Sequence, residues 1–196
     1  LLHNFMLIHD DIIDCSDLRR GKPTMHRMLR KITKTTDPDK LVIDLGIVAG
    51  DVVYALAVDA FLSFQETPES RMKDALRYFI RTAALTAVGE FVDTLNGVLP
   101  VHQVSEKDVF LNYSLKTARY TFECPLVIGA LLAGASDKET RLLSELGLLT
   151  GQAFQIQDDI IGVFDTEKNI GKSVLSDIEE SKKTLLVCRA YAALTG

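Results

Sequence analysis

Two clusters of aspartates lie about 150 residues apart in similar apolar surroundings. Asp10, Asp11 and Asp14 follow the residues Met-Leu-Ile-His, and the pair Asp158 and Asp159 follows Phe-Gln-Ile-Gln. On a helix, Asp10 and Asp14 share one face and are about 6 Å apart along the axis. Carboxylates on an apolar stripe repel each other and lose hydration unless a cation lies between them. The two clusters therefore predict a site for Mg²⁺, a hard cation that usually also takes oxygens from substrate phosphates.

Two arginines and a turn follow the first cluster. Arg19 and Arg20 precede Gly21 and Pro23, and the planar end of an arginine donates two hydrogen bonds to a phosphate at once. Alone, such a pair is better explained as an offset to the negative C-terminus of a helix. Beside aspartates, phosphate binding is favoured, because a metal-bridged phosphate needs ligands of both signs.

Lysines follow the second cluster. Lys172 comes directly after a glycine, in a predicted loop from which its side chain reaches a phosphate as a point charge. We favour a functional role for Lys172, whereas the pair Lys182 and Lys183 also fits a solvated helix face. Lys116 and Thr117 lie within a predicted helix and are uninformative by themselves.

Several other chemistries lack their sequence patterns. The Glu-x-x-His pairs that di-iron bundles use do not occur. The four histidines show no zinc-ligand spacing, and no Walker, GxGxxG or GxSxG pattern is present. The aspartates remain the best guide to the chemistry.

Helical periodicity dominates the chain, and neither alternating strands nor Asn-Gly or Asp-Gly hairpin turns are found. Helix starts are marked by Asp37 before Pro38, Thr67 before Pro68, Ser105 with Asp108, and Ser136 with Glu139. Pro125 is expected to kink a helix or start a new one. The sequence predicts an all-α bundle in one domain, with helices near residues 1–17, 38–64, 68–97, 105–122, 125–135, 137–164 and 176–195.

Composition narrows the possible partners and surroundings. The 196 residues are 47% apolar and 25% charged, as expected of a globular protein, and the net charge of −5 argues against nucleic-acid binding. Three cysteines without paired spacing favour a reducing, cytoplasmic compartment. The longest uncharged stretch has thirteen residues, fewer than the ~20 that span a bilayer. The apolar segment 41–64 is expected at the centre of the bundle.

In their order and rough spacing, these motifs resemble those of the trans-isoprenyl diphosphate synthases, the farnesyl and geranylgeranyl diphosphate synthase family. The run from Leu7 to Asp14, followed by the run from Arg19 to Thr24, looks like the first aspartate-rich motif of the family with its arginine pair. The further matches are Gly50-Asp51, Lys116-Thr117, Phe154 to Asp159, and Gly171-Lys172. The resemblance covers residues 1 to at least 187. It implies helices around a central active-site cavity, and a homodimer.

The resemblance also implies a reaction and its residues. An allylic diphosphate would ionise, and the double bond of isopentenyl diphosphate would attack the resulting cation and then lose a proton. Asp10 and Asp14 would bind two Mg²⁺ ions and Asp158 a third, and Arg20 would bind isopentenyl diphosphate. The allylic diphosphate would contact Arg19, Lys116, Thr117, Lys172 and Lys182, and Gln155 would help to stabilise the cation.

Two departures from the family pattern stand out. Gly162 occupies the position where many members carry a third aspartate, and Asp165 is too far along the helix to be a direct ligand. The upstream Gly-Gly-Lys-x-x-Arg-Pro segment and a C-terminal helical portion of the family are not found in this sequence. We therefore expect a single synthase domain over residues 1–196 that is truncated at both ends.

The residues before the first motif bear on product length. In this family they form the floor of the hydrocarbon channel; here Phe5 and Met6 lie five and four positions before Asp10. One aromatic before an uninterrupted motif resembles the type that forms geranylgeranyl diphosphate (C20), with farnesyl diphosphate (C15) as the alternative. A phenylalanine at this position is also explained by core packing. Class I terpene cyclases and non-catalytic synthase subunits are the other candidate classes.

Overall fold

The computed structural model describes residues 1–32, 37–63, 68–164 and 181–195. Within these ranges the chain is helical except for one two-stranded hairpin and short connections, so the all-α prediction is confirmed. The described residues form two compact units, one ending at residue 63 and one starting at residue 68. The single-domain assignment stays a prediction.

The first unit contains three helices and the hairpin. Helices α1 and α2 pack against the long helix α3. His9 on α1 fixes this packing, since its Nε2 atom lies 3.0 Å from the backbone oxygen of Ile47 on α3. The elements are α1 (Leu2–Ile13), β1 (Leu18–Arg19), β2 (Lys22–Pro23), α2 (Met25–Arg30) and α3 (Pro38–Leu62).

Helix α1 is shorter than predicted, and a hairpin follows it. The helix ends at Ile13 rather than near residue 17, because Cys15 adopts a left-handed conformation with φ of 52°. Strands β1 and β2 pair antiparallel around Arg20 and Gly21, whose φ angles of 53° and 72° suit the tight turn of a β-hairpin. The turn at this position was expected from Gly21 and Pro23, but the two strands that flank it were not, because each has only two residues.

The second unit is built from longer helices. Its elements are α4 (Glu69–Val98), a 3₁₀ turn (Val101–Gln103), α5 (Glu106–Asn112), a π-helix (Tyr113–Glu123), α6 (Cys124–Ala133), α7 (Asp137–Phe164) and α8 (Leu185–Thr195). The predicted caps at Ser105 and Ser136 are confirmed, because each hydroxyl and backbone amide bonds the acidic side chain three residues later. In the first unit, Asp37 also caps α3 as predicted, accepting a hydrogen bond from the backbone N–H of Lys40.

The π-helix is the central element of the second unit. It continues from α5 into α6 without a break, and Pro125, which has no backbone N–H to donate, marks the point where the π-helix gives way to α6. Both α4 and α7 pack against it. A Cβ atom added at Gly89 on α4 would lie 2.5 Å from the backbone nitrogen of Lys116, so only glycine allows this approach. The packing thus fixes the backbone that carries Lys116 and Thr117.

A buried carboxylate joins three helices of this unit. Glu123, at the end of the π-helix, accepts hydrogen bonds from Arg119 at 2.9 Å and from Ser144 on α7 at 2.6 Å. Tyr78 on α4 also bonds Glu123; burial, followed by this bond, raises the pKa of the tyrosine well above its ordinary value. The buried Glu123 carboxylate therefore has three side-chain hydrogen-bond donors around it.

Helix α8 docks through a small apolar cluster. Val104, Val109, Tyr113, Leu185 and Cys188 are all buried in it. Burial of these side chains holds the start of α8 against α5 and the first residue of the π-helix.

Helix α3 is unusual in its apolar surface. Among the described residues, it is the one helix long and apolar enough to cross a membrane by length and composition, with a mean hydropathy of 2.1 in its most apolar window. Only 22% of that window is buried. A single helix of this kind is weak evidence for a membrane span. Within the described residues, its low burial differs from the expectation that segment 41–64 lies at the centre of the bundle, and it shows a surface suited to apolar contact.

Candidate active site

Two of the predicted metal ligands meet on α1. Asp10 and Asp14 are half-buried, and one carboxylate oxygen of each lies within 4.8 Å of the other. Mg²⁺ binds oxygens at 2.0–2.1 Å, so opposite ligands in its octahedron are about 4 Å apart. The two oxygens are therefore close enough for one cation to draw them together, as the spacing of four residues on a helix predicts.

Arg19 folds back from the hairpin onto the same cluster. Its Nη2 atom donates to Asp10 at 2.6 Å and its Nε atom donates to Asp11 at 2.6 Å. Asp11 is buried with 5% of its surface exposed, and burial raises the pKa of its carboxyl more than the bonds and charge of Arg19 lower it. Asp11 is thus a supporting residue that anchors the arginine, while Arg20 lies exposed at the hairpin turn.

The predicted chain-length residues lie one turn before the aspartates. The ring of Phe5 packs against His9, with ring centroids 5.3 Å apart, and against Tyr54 of α3 at 4.9 Å. Met6 is half-buried. The ring contacts agree with core packing of Phe5 and leave its role in product length a prediction.

Lys116 is enclosed by carboxylates that the sequence analysis did not single out. Its Nζ atom lies 2.7 Å from Asp93 and 3.1 Å from Glu90, both on α4. All three side chains are less than 20% exposed, and Asp93 also accepts a hydrogen bond from Asn112. The lysine is therefore held in place by charge. These two carboxylates could have been noticed in the sequence, because Glu90 and Asp93 are three residues apart and so share one helix face.

Gln155 and Thr117 form a hydrogen-bonded pair across two helices. The Thr117 hydroxyl donates to the side-chain oxygen of Gln155 at 2.7 Å, and the Gln155 amide nitrogen donates to Asp159 at 2.9 Å. Tyr113 also donates its hydroxyl proton to Asp159. Sequence reasoning missed Tyr113, because no local pattern links residues 46 apart.

The two aspartates of the second motif differ in surroundings. Asp159 is buried with 2% exposed, whereas its neighbour Asp158 is exposed on α7. An exposed carboxylate is accessible to a cation. The buried carboxylate of Asp159 already accepts hydrogen bonds from two side chains, Tyr113 and Gln155.

Of the downstream lysines, Lys182 is half-buried. Lys183 donates to the backbone oxygens of Gly97 at 3.0 Å and Ser181 at 2.6 Å, so it satisfies a carbonyl at the end of α4. Lys172 and Asp165 lie outside the described residues.

Comparisons with known proteins agree on one family. A model of the polyprenyl synthetase family matches residues 1–195. A geranylgeranyl diphosphate synthase of Sulfolobus acidocaldarius is 37% identical over 195 residues, which are 96% of this chain and 53% of that protein. A geranylfarnesyl diphosphate synthase of Aeropyrum pernix is 34% identical, over 96% of this chain and 55% of that protein.

A solved structure supports the fold. The geranylgeranyl pyrophosphate synthase of Corynebacterium glutamicum, crystallised with isoprenyl diphosphate and magnesium, superposes with a TM-score of 0.85 at 33% identity. The match covers 97% of this chain and 54% of that one. The chain thus spans about half the length of the curated relatives it matches.

Proposed function

The chain belongs to the polyprenyl synthetase family, and we propose that the protein carrying it is a Mg²⁺-dependent prenyltransferase. It would condense isopentenyl diphosphate head-to-tail with an allylic diphosphate, most simply to geranylgeranyl diphosphate. The observation that carries the proposal is the pair Asp10 and Asp14, whose oxygens lie at a distance that suits Mg²⁺. The family relative crystallised with magnesium and isoprenyl diphosphate supports this assignment.

We assign the metal ligands to three aspartates. Asp10 and Asp14 would hold two ions and Asp158 a third. When bound, Mg²⁺ neutralises the negative charge that develops on a departing diphosphate. The exposure of Asp158 and the burial of Asp159 support the choice of Asp158 as the ligand.

Basic side chains would bind the two diphosphates. Arg19, Lys116, Lys172 and Lys182 are assigned to the allylic diphosphate, and Arg20 to isopentenyl diphosphate. For Lys116 the assignment rests on the family motif, since Asp93 and Glu90 already bind its ammonium group. The exposed position of Arg20 at a tight turn leaves its guanidinium accessible.

Gln155 would stabilise the allylic cation through its side-chain oxygen, and Thr117, which we assign to the allylic diphosphate, holds that side chain in place. Both side chains are half-buried, and their mutual hydrogen bond fixes their geometry. Oxygen dipoles that are already oriented stabilise a developing positive charge without reorganisation during the reaction.

Product length is the least constrained part of the proposal. Relatives with similar identity include synthases named for geranylgeranyl and for geranylfarnesyl diphosphate. The single aromatic Phe5 before the first motif favours the C20 product. Replacement of Phe5 with alanine is expected to lengthen the product, and an unchanged chain length would contradict the role of Phe5.

A homodimer in the cytoplasm is also proposed. Helix α3 offers an apolar surface of exposed residues that include Ile47, Val48 and Val52, which a second copy would cover. The three cysteines are free thiols, as expected in a reducing compartment. Light scattering of the purified protein tests the dimer, and a monomer at micromolar concentration would contradict it.

Product analysis tests the function directly. The full-length protein would be incubated with Mg²⁺, isopentenyl diphosphate and farnesyl diphosphate, and the products separated by chromatography. A linear C20 diphosphate is expected. A hydrocarbon would instead identify a terpene cyclase, and no turnover without another protein would identify a non-catalytic subunit.

A further inference from the structure

We propose that Tyr113 and Asp159 are positioning residues that fix the orientation of the Gln155 carboxamide and tie it to the start of α8. The inference rests on the proposed function, in which Gln155 faces the allylic cation. It adds two residues to the site that neither bind metal nor touch substrate. Every contact that supports it lies within the second unit.

The hydrogen-bond donors leave Gln155 only one orientation. An ionised carboxylate accepts hydrogen bonds and cannot donate them, so the side of Gln155 that faces Asp159 must be its NH₂ group. The Nε2 atom is 2.9 Å from Asp159, and Oε1 then faces the Thr117 hydroxyl at 2.7 Å. Asp159 thereby determines where the oxygen of Gln155 points.

Tyr113 in turn fixes Asp159. Its hydroxyl donates to the second carboxylate oxygen of Asp159 and accepts a hydrogen bond from the backbone N–H of Leu185 at 2.8 Å. Because that N–H approaches the phenolic oxygen as a donor, the tyrosine proton is directed at Asp159. Both carboxylate oxygens of Asp159 are thus bound by neutral donors.

The tyrosine ring adds a second connection. It lies in the apolar cluster with Val104, Val109, Leu185 and Cys188, so its position depends on the docking of α8. Lys182, which we assign to the allylic diphosphate, is three residues before Leu185. The same tyrosine therefore joins the segment that carries Lys182 to the residue that fixes Gln155.

A purely structural role for Tyr113 makes a different prediction. Loss of a buried hydrogen bond would then lower stability and reduce activity only through the folded fraction. The matched control is Tyr78, whose hydroxyl also bonds a buried carboxylate, Glu123, in the same unit. Tyr78→Phe removes an equivalent bond without touching Gln155 or Asp159.

The decisive experiment is a double-mutant cycle in the full-length protein. Tyr113→Phe is expected to lower kcat at least about tenfold, with the KM of both diphosphates changed less than about twofold, because a misplaced Gln155 affects the transition state more than binding. In a Gln155→Ala background the same substitution should no longer lower kcat. Tyr78→Phe should have the same small effect in both backgrounds.

An additive cycle, or a Tyr113→Phe variant with unchanged kcat, would overturn the inference. If Tyr113→Phe does not fold, as judged by circular dichroism, Asp159→Asn replaces it in the cycle, because it keeps the shape of the side chain and replaces the carboxylate that orients the Gln155 carboxamide. Additivity with Gln155→Ala would again overturn the inference.

A spectroscopic readout separates this inference from the proposed function. In ¹⁵N-labelled protein, Tyr113→Phe should shift the side-chain NH₂ signals of Gln155 and speed hydrogen exchange at the Leu185 amide, whereas Tyr78→Phe should do neither. This result is expected even if the wild-type protein makes no prenyl diphosphate, in which case only the proposed function fails. Unchanged Gln155 signals in an active protein would overturn the positioning role alone.

Discussion

Each of the two aspartate motifs contains a buried carboxylate, and different partners stabilise it in the two motifs. In the first unit, Asp10 and Asp11 share the charged guanidinium of Arg19 at 2.6 Å. In the second unit, buried Asp159 is bound by the neutral donors Tyr113 and Gln155. A cation can exchange for another cation, whereas neutral donors inside a packed unit have no competitor. The guanidinium of the first motif can be displaced by a metal ion, whereas the side-chain donors of Asp159 leave Asp158 as the residue of the second motif that we assign to metal.

Within each motif, the aspartates differ in how deeply they are buried. In the first motif, buried Asp11 anchors the arginine while Asp10 and Asp14 remain half-buried. In the second, buried Asp159 anchors the surrounding side chains while Asp158 is exposed. Each motif thus pairs a supporting aspartate with at least one that we assign to metal.

Loss of an assigned metal ligand should have the largest effect. Asp10→Asn is expected to lower kcat about a thousandfold, because several kcal/mol of transition-state stabilisation depend on the metals. The measurement is the rate of condensation at saturating Mg²⁺. Asp17→Asn is the control: Asp17 is exposed and paired with Arg27 in the same unit, and a change of less than about twofold is expected. Equal losses in the two variants would contradict the assignment.

Removal of the buried aspartate should lower stability as well as kcat. Asp159→Ala leaves the Tyr113 hydroxyl and the Gln155 amide without an acceptor, at a cost of about 2–4 kcal/mol in the free energy of unfolding. Urea denaturation measures this loss. Its neighbour is the control, since Asp158→Ala at an exposed position is expected to cost less than about 1 kcal/mol. Similar costs at both positions would remove the distinction between the two aspartates.

The helices and their caps could be predicted from sequence because their signals are local. Ser105 with Asp108 and Ser136 with Glu139 lie within four residues of each other, and both caps are confirmed. The end of α1 at Ile13 was missed because it depends on the left-handed backbone of Cys15. Residues other than glycine rarely adopt this conformation, so the sequence does not indicate where it occurs.

The candidate site could be predicted only in part. The aspartates that we assign to metal could be proposed from the sequence, because their spacing puts carboxylates on one apolar helix face. The partners of Lys116 and Gln155 could not, since Asp93 is 23 residues from Lys116 and Thr117 is 38 residues from Gln155. Such contacts are set by how α4, the π-helix and α7 pack together.

A moderate effect is expected when the exchangeable partner of the first motif is removed. Arg19→Gln removes the guanidinium that bonds Asp10 and Asp11, so Mg²⁺ should bind the substrate-free protein about three- to tenfold more tightly, equivalent to roughly 1 kcal/mol. Isothermal titration calorimetry measures this affinity. Arg27→Gln, which removes the partner of Asp17 instead, should leave Mg²⁺ affinity unchanged. Weaker Mg²⁺ binding by Arg19→Gln would show that the arginine does not compete with metal.

The smallest effect concerns pH in the first unit. Burial, followed by the charge of Arg27, lowers the pKa of buried His26 below its ordinary value of 6.5. The unfolded chain then binds a proton more readily than the folded one, so this residue's contribution to stability is complete above pH 6.5 and declines as the pH falls below it. Urea unfolding from pH 7.5 to pH 5 measures this decline. His26→Asn should make the free energy of unfolding less dependent on pH in this range. An identical pH profile in the variant would show that His26 does not cause the decline.

The central proposal is that the full-length protein binds diphosphate through Mg²⁺, with Asp10, Asp14 and Asp158 as the assigned metal ligands. The most direct test is calorimetric titration of inorganic diphosphate into the full-length protein, with Mg²⁺ or with EDTA. We expect binding that requires Mg²⁺ and that is lost in Asp10→Asn, Asp14→Asn and Asp158→Asn but retained in Asp17→Asn. Equal diphosphate affinity in the presence of EDTA, or unchanged binding in the three variants, would contradict the proposal.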